Sequence, residues 1–271
     1  MRRITKKLLV GMLISGLILV SFAGCSEDEK EKIVNQPPSL PPDSSMSIDF
    51  STFGGGKLAP GAPVPGKNFR NASGRVLLLD VAVIVTLAPS VTVFKAAKNT
   101  TPIEQEDGSW LWSYTFTYLG NEFKANLTGR MQGDKTLWSM KATCLTLKTP
   151  LNNFEWYTGD CPLDNKSGKW QYYDYLEPSA DKLIGTIEWS ATGNKSKIIF
   201  SSTNPKSDVF NDILTYSVEG TTASISYYDD SEKITADITW DIVTSAGSIK
   251  VPGYNNGERA YWDKNKQDTA L

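Results

Sequence analysis

The sequence predicts a mainly β protein, an antiparallel up-and-down meander that curls into an open or closed barrel with an N-terminal apolar helical segment packed on it. Three observations carry this. Beyond residue 108, large apolar side chains recur at every second position almost to the end of the chain, the spacing that places them on one face of a strand. Nearly every such run is followed by a turn signal: Gly120-Asn121, Gly133-Asp134, Ser167-Gly168, Gly193-Asn194, Glu219-Gly220 and Asp229-Asp230. Connections that short join antiparallel neighbours. Ahead of them, residues 76–94 read VLLLDVAVIVTLAPSVTVF, the least polar internal stretch.

The chain opens with Arg2, Arg3, Lys6 and Lys7, followed by 15 residues, 8–22, whose polar side chains are Ser15 and Ser21 alone. A charged start and a short apolar run are the layout of a secretory signal. The run is short for a membrane-spanning helix, which needs about 20 residues. It ends in Phe22-Ala23-Gly24-Cys25, which resembles the lipobox of bacterial lipoproteins, with phenylalanine where leucine is usual. The resemblance implies cleavage before Cys25, removal of residues 1–24 as a signal peptide, and lipid attached to the Cys25 thiol. Each buried CH₂ of an acyl chain contributes about 0.8 kcal/mol and a single chain holds only marginally, so two or three chains make the anchor lasting. The run Ser26-Glu27-Asp28-Glu29-Lys30-Glu31-Lys32 that follows resembles the export signals of envelope lipoproteins from Bacteroidota and reads equally well as a charged, solvated tether. The expected address is the cell envelope, at the outer membrane, through a lipid anchor.

Residues 25–66 are expected to be the lipidated cysteine and a flexible tether. Seven of the 14 prolines fall at 37, 38, 41, 42, 60, 63 and 65, and Gly54-Gly55-Gly56 lies among them, a composition of linkers rather than of a folding unit. Residues 47–53 stand apart as a short strand attempt. The remainder, 67–271, is read as one β-rich domain with a helical segment at about 73–98. Within it, residues 73–88 are expected to form a helix apolar nearly all round and therefore buried, in preference to a membrane span, because Asp80 would be costly in a bilayer. Pro89 then begins a second short helix to Ala97, with Asn99 as its stop; the many β-branched residues of the stretch leave a buried strand pair as the alternative.

In Trp110-Leu111-Trp112-Ser113-Tyr114-Thr115-Phe116-Thr117-Tyr118 every even position is aromatic, one face of a strand. Ten further strands are expected at 123–129, 136–145, 154–158, 169–175, 183–190, 197–202, 213–219, 223–228, 234–240 and 248–251. A meander of that length must curl or close to protect its edges. The layout over about 70–262 resembles the half-open barrels with a helical plug of periplasmic lipoprotein carriers, although no motif of that family is present.

Composition narrows the chemistry. The chain has no histidine, which removes Ser-His-Asp and Cys-His nucleophile systems, histidine-ligated zinc and histidine acid-base catalysis. The net charge is −2, and the leader carries four cations and no acids, so the mature chain is near −6 and has no footprint for nucleic acid. Cys144 and Cys161 are a candidate disulfide, being 17 positions apart on neighbouring strands of an exported protein. Cys144 also lies in the apolar register, where a buried thiol fits.

Trp110, Trp112, Tyr114, Phe116 and Tyr118 are the candidate ligand-binding residues. Such a stripe in a curved sheet lines a pocket for an acyl chain or other apolar ligand, or packs as core against the helical segment. Trp156, Tyr157, Trp170, Tyr172, Tyr173 and Tyr175 offer a second reading, a glycan platform. The loop carboxylates Asp160, Asp164, Asp174, Glu177, Asp229, Asp230 and Asp241 show no pairing expected of a glycosidase, and Asp229-Asp230-Ser231-Glu232 lacks calcium-loop spacing. No cofactor, metal or catalytic residue is assigned. The expected function is a non-enzymatic envelope lipoprotein binding an apolar or amphipathic ligand or an envelope partner. A surface glycan-binding protein or weak glycan hydrolase, and a purely structural envelope protein, are the alternatives.

Overall fold

The computed structural model describes residues 36–53, 63–178 and 182–270, with the backbone alone at 81–86, 88 and 89. The signal peptide, the lipobox, Cys25 and the acidic run lie outside the described residues. Among the described residues, fourteen strands form one sheet in strict chain order. They are β1 Ile103–Glu104, β2 Trp110–Tyr118, β3 Asn121–Gln132, β4 Lys135–Cys144, β5 Leu151–Pro162, β6 Ser167–Tyr173 and β7 Leu183–Thr192. Then follow β8 Lys195–Ser202, β9 Ile213–Glu219, β10 Thr222–Asp229, β11 Ile234–Asp241, β12 Gly247–Lys250, β13 Ala260–Trp262 and β14 Asp268–Thr269. Each strand pairs antiparallel with the next. β1 and β14 do not pair with each other, so the sheet is an open meander and the closed form of the expected barrel is excluded. β1, β13 and β14, absent from the eleven expected strands, are two or three residues long, too short for alternation to register.

Three hairpins turn on two residues with glycine first. Gly133, Gly193 and Gly220 have φ of 63°, 61° and 61°, the left-handed backbone that lets a two-residue turn follow the twist of its strands. The register they set puts large and small side chains opposite each other on the inner face. Trp110, Gly129, Trp138, Gly159, Trp170 and Ile187 are successive cross-strand partners from β2 to β7. The adjoining row runs Trp112, Leu127, Met140, Tyr157, Tyr172. All of these non-glycine side chains are buried. Glycine opposite tryptophan leaves room for the indole to lie flat across the neighbouring strand, so the wide ring is buried without pushing the strands apart.

The tether expected from 25 to 66 ends sooner, since the compact unit begins at Pro37. Residues 37–53 cross the inner face of the sheet. Ser45, Met46, Ile48 and Phe50 are buried, Trp170 Nε1 donates to Ser45 Oγ at 3.3 Å, and the Tyr216 hydroxyl donates to the Asp49 carbonyl at 3.0 Å. Phe50 meets Tyr216 edge-on at 5.7 Å and Phe53 meets Trp240 at 5.1 Å. The apolar residues at 46, 48 and 50 are the signal of the short strand attempt. They pack by side chains and join no sheet, because the segment runs over the face and not along an edge.

Helix α1, Lys67–Ala97, is a single helix of 31 residues, where two pieces meeting at Pro89 and starting near residue 73 were expected. Its early start has a tertiary cause. Gly66 provides no side-chain cap; instead Asp268, two hundred residues away, accepts from the amides of Lys67 at 3.1 Å and Asn68 at 2.8 Å. Those are two of the four amides a helix leaves open at its beginning. Asn68 Nδ2 adds a bond to the Tyr261 carbonyl at 2.8 Å, and the Tyr254 hydroxyl donates to Asn68 Oδ1 at 2.5 Å. Further along, Val76, Leu87, Val93, Phe94 and Ala97 are buried, the Tyr114 hydroxyl donates to the Val93 carbonyl at 2.7 Å, and Phe94 meets Trp170 at 5.8 Å. The helix packs against both margins of the sheet, β2 and β3 on one side and β12 to β14 on the other. It is not buried all round: Leu77 and Leu78 are exposed.

Candidate ligand pocket

The aromatic stripe of β2 divides along its length. Trp110 and Trp112 are buried, and Tyr114, Phe116 and Tyr118 are half-buried. Trp112 contacts Trp138 at 5.6 Å, Phe116 stacks on Phe123 at 5.0 Å, and Tyr114 is tied to α1 through Val93. These contacts are core contacts, and none of the five lines the pocket described next.

That pocket, of about 290 Å³, lies where α1 passes over β10 and β11. Leu78 and Leu79 of the helix form one wall, Ile225, Ala236 and Ile238 of the sheet form the other, and Val209 closes it from the loop before β9. Register explains the sheet wall. Ile225 is the cross-strand partner of Ile238, and Tyr227 of Ala236, so alternate residues of both strands face α1. Arg75, Tyr227 and Asp229 supply the polar lining. The volume is at the small end of the roughly 300–1,000 Å³ typical of small-molecule sites, and apolar walls with a few polar groups are their usual make-up.

Each polar group has a defined local arrangement. Arg75 Nε donates to Asn71 Oδ1, one helical turn back, at 3.1 Å. Among the described residues no carboxylate pairs with its guanidinium. The Tyr227 hydroxyl donates to Asp212 Oδ2, and the Asp230 amide donates to Asp212 Oδ1 at 2.9 Å. Burial first, and the adjacent Asp212 second, push the Tyr227 phenol up. Asp229 Oδ1 accepts from Ser231 Oγ at 2.7 Å and the Glu232 amide at 3.0 Å, and these bonds hold its carboxyl below the ordinary value.

A larger depression of about 490 Å³ is lined by Lys141, Pro150, Asn152, Asn153, Phe154, Glu155 and Pro178. It lies beside register shifts between β4 and β5, the bulged region in which the neighbours Trp156 and Tyr157 are both buried. Its lining is polar and its rim residues Lys141, Asn152 and Asn153 are exposed, so it lacks the fixed apolar walls of the pocket under α1. Of the rings proposed as a glycan platform, Trp156, Tyr157, Trp170 and Tyr172 are in the core and present no face to a sugar; Tyr173 and Tyr175 are half-buried.

Cys144 and Cys161 are separate buried thiols. Cys161 pairs across the ladder with Thr136, whereas Cys144 pairs with Leu151, placing them toward opposite ends of the β4–β5 hairpin. Eight residues of strand separate Thr136 from Cys144, about 27 Å at 3.4 Å per residue, and a disulfide needs Cα atoms within about 7 Å. Nearness in sequence suggested the bridge; register forbids it. Cys161 Sγ instead donates to Asn165 Oδ1 at 3.0 Å and accepts from Trp138 Nε1 at 3.3 Å.

The loop carboxylates are engaged locally. Asp160 pairs with Lys135 at 3.5 Å, Asp164 with Lys166 at 3.4 Å, Asp174 with Lys182 at 3.2 Å and Asp230 with Lys233 at 2.7 Å. Glu177 bridges Lys182 at 2.7 Å and Lys206 at 2.9 Å, which draw its carboxyl down to about 2. Asp241 accepts from Thr221 Oγ1 at 2.6 Å and the Thr244 amide at 2.7 Å and is likewise held at about 2. Among the described residues no three carboxylate or cysteine side chains gather as a metal site.

The pocket residues Arg75, Ile225, Tyr227 and Ile238 escape a reading of the sequence, because register and helix placement alone bring them together. No family model, curated protein or solved structure matches this chain.

Proposed function

We propose that this chain is a lipid-anchored protein of the cell envelope, held at the outer membrane through Cys25, that binds a small apolar or amphipathic ligand without transforming it. The observation that carries the binding half is the pocket between α1 and the β10–β11 face, walled by Leu78, Leu79, Val209, Ile225, Ala236 and Ile238. Leu77 and the wall residue Leu78 are exposed, so an apolar molecule arriving from a membrane meets apolar surface first. The anchor half rests on the leader and on Phe22-Ala23-Gly24-Cys25.

Native mass spectrometry of the full chain carrying Cys25→Ser tests the binding half. The expected result is a one-to-one adduct of a single-chain amphiphile, either co-purified or formed on adding one. A bare mass under both conditions overturns it. Metabolic labelling with palmitate tests the anchor: the wild-type chain takes up label and Cys25→Ser does not, and equal labelling of the two overturns the assignment.

A second reading, glycan binding, is favoured by the polar depression at Lys141, Asn152, Asn153 and Glu155. Retardation in glycan affinity gels that is lost in Asn152→Ala/Glu155→Ala supports it, and unretarded migration removes it.

A further inference from the structure

The pocket under α1 contains one cationic group. Arg75 is half-buried, and its Nε is committed to Asn71 Oδ1 at 3.1 Å. That bond steadies the plane of the guanidinium and leaves its terminal nitrogens as a fork of donors, the geometry that reads a carboxylate or phosphate through two parallel bonds. The acidic groups around the pocket already accept hydrogen bonds: Asp212 from Tyr227 and the Asp230 amide, Asp229 from the Glu232 amide and Ser231. Among the described residues neither forms an ion pair with Arg75. The remaining lining is aliphatic apart from Tyr227. A half-buried cation facing an aliphatic cleft, with no paired acid among the described residues, lacks the partner that partly buried charges ordinarily keep.

We propose that the ligand is a single-chain acidic amphiphile, its carboxylate on the Arg75 guanidinium and its alkyl chain between Leu79 of α1 and the Ile225–Ile238 pair of the sheet. The volume of about 290 Å³ suits one short or medium chain and not a two-tailed lipid. The assignment rests on the apolar-ligand reading above and adds to it the sign and chemistry of the head group. Asp229 makes the site selective: an anion must sit on the Arg75 side, and a second negative charge on the ligand meets a fixed carboxylate.

The test is calorimetric titration of the full chain carrying Cys25→Ser with decanoate, decanol and decyltrimethylammonium at pH 7.5, repeated with Arg75→Met, Arg75→Lys and Leu79→Trp. Circular dichroism confirms that each variant keeps its sheet. Decanoate is expected to bind most tightly, Arg75→Met to weaken it roughly 10- to 100-fold, as loss of a charge-assisted pair does, and Arg75→Lys to weaken it less. Decanol binding is expected to be unchanged by Arg75→Met. Decanoate and decanol binding equally, with Arg75→Met without effect, overturns the acidic head group while leaving the apolar pocket standing. Tighter binding of the quaternary ammonium, lost in Asp229→Asn, overturns it in favour of a cation. Failure of all three probes to bind, or binding that Leu79→Trp leaves untouched, overturns the pocket itself.

Discussion

Gly129 and Trp138 are cross-strand partners on β3 and β4, and a Cβ placed on Gly129 would stand 2.6 Å from Cζ3 of that indole and 3.1 Å from Cγ of Pro38. The same relationship recurs between Gly159 and Trp170, Gly168 and Trp189, and Gly247 and Trp262. The core is thus built from rings that cover glycines, and at Gly129 the N-terminal segment also closes on the glycine through Pro38.

Adding one methyl at this place therefore overpacks the core. Gly129→Ala is expected to lower unfolding stability by about 1–3 kcal/mol, measured by urea denaturation, with Gly74→Ala as the control because a Cβ there meets nothing within 4 Å. Equal midpoints for the two variants would contradict this account of the inner face.

The remote cap of α1 makes a second expectation. Asp268→Ala removes the acceptor of the Lys67 and Asn68 amides and is expected to cost about 0.5–2 kcal/mol. Hydrogen exchange should rise at residues 67–70 first. Exchange that rises uniformly over the sheet instead would assign Asp268 a different role.

Among the described residues, two tyrosine hydroxyls, those of Tyr157 and Tyr172, are buried without a partner. Tyr157 and Tyr172 face each other across β5 and β6, with ring centroids 6.0 Å apart, and neither hydroxyl makes a hydrogen bond. Burial pushes both phenols well above their ordinary value. Tyr157→Phe and Tyr172→Phe are expected to be neutral or stabilising, because each removes a desolvated group that bonds to nothing. Tyr114→Phe, which gives up the bond to Val93, is expected to lose about 1 kcal/mol. Thermal denaturation of the three variants orders them.

Cys144 and Cys161 are expected to remain reduced. The Cys161 thiol is pushed up chiefly by burial, which keeps it protonated and slow to react. With Cys25→Ser, a thiol reagent at pH 8 should find little reactivity in the native chain and two thiols after denaturation without reductant. Fewer than two would mean a bridge.

The Glu177 clamp sets a pH response in the β6–β7 and β8–β9 loops. Its carboxyl is lowered from 4.5 to about 2, first by hydrogen bonds from Lys182 and Lys206 and then by their charge. A lowered carboxylate pKa gives stability that is present above the unfolded value and fades as pH falls from about 4.5 through 2. Glu177 and Lys206 are exposed, so the effect is small and screened by salt. Glu177→Gln is expected to flatten the stability profile over that interval, and a profile identical to wild type would remove Glu177 as its source.

Much of the sheet was legible from alternation and turn residues. β2 matches the stripe of aromatics from Trp110 to Tyr118 residue for residue, and Gly133, Gly193 and Gly220 mark hairpins by chemistry that holds in any context. The glycines inside strands were the overlooked signal: Gly129, Gly159 and Gly247 interrupt apolar faces beside tryptophans, a pattern that points to close approach. Residues 37–53 read as tether with a short strand attempt at 47–53, because proline content outweighs the alternating Met46, Ile48 and Phe50.

What the amino-acid order settled alone is local: which residues alternate, where the backbone turns, and hence an antiparallel meander with one greasy face. Closure, the path of residues 37–53, the cap that Asp268 places on α1, the separation of Cys144 from Cys161 and the meeting of Arg75 with Ile225 and Ile238 were decided by tertiary structure. The reason is one of range. Steric and turn preferences act over a few neighbours and can be read in place, whereas these contacts join positions up to two hundred residues apart, and their geometry exists only once strand register and helix packing have been chosen together.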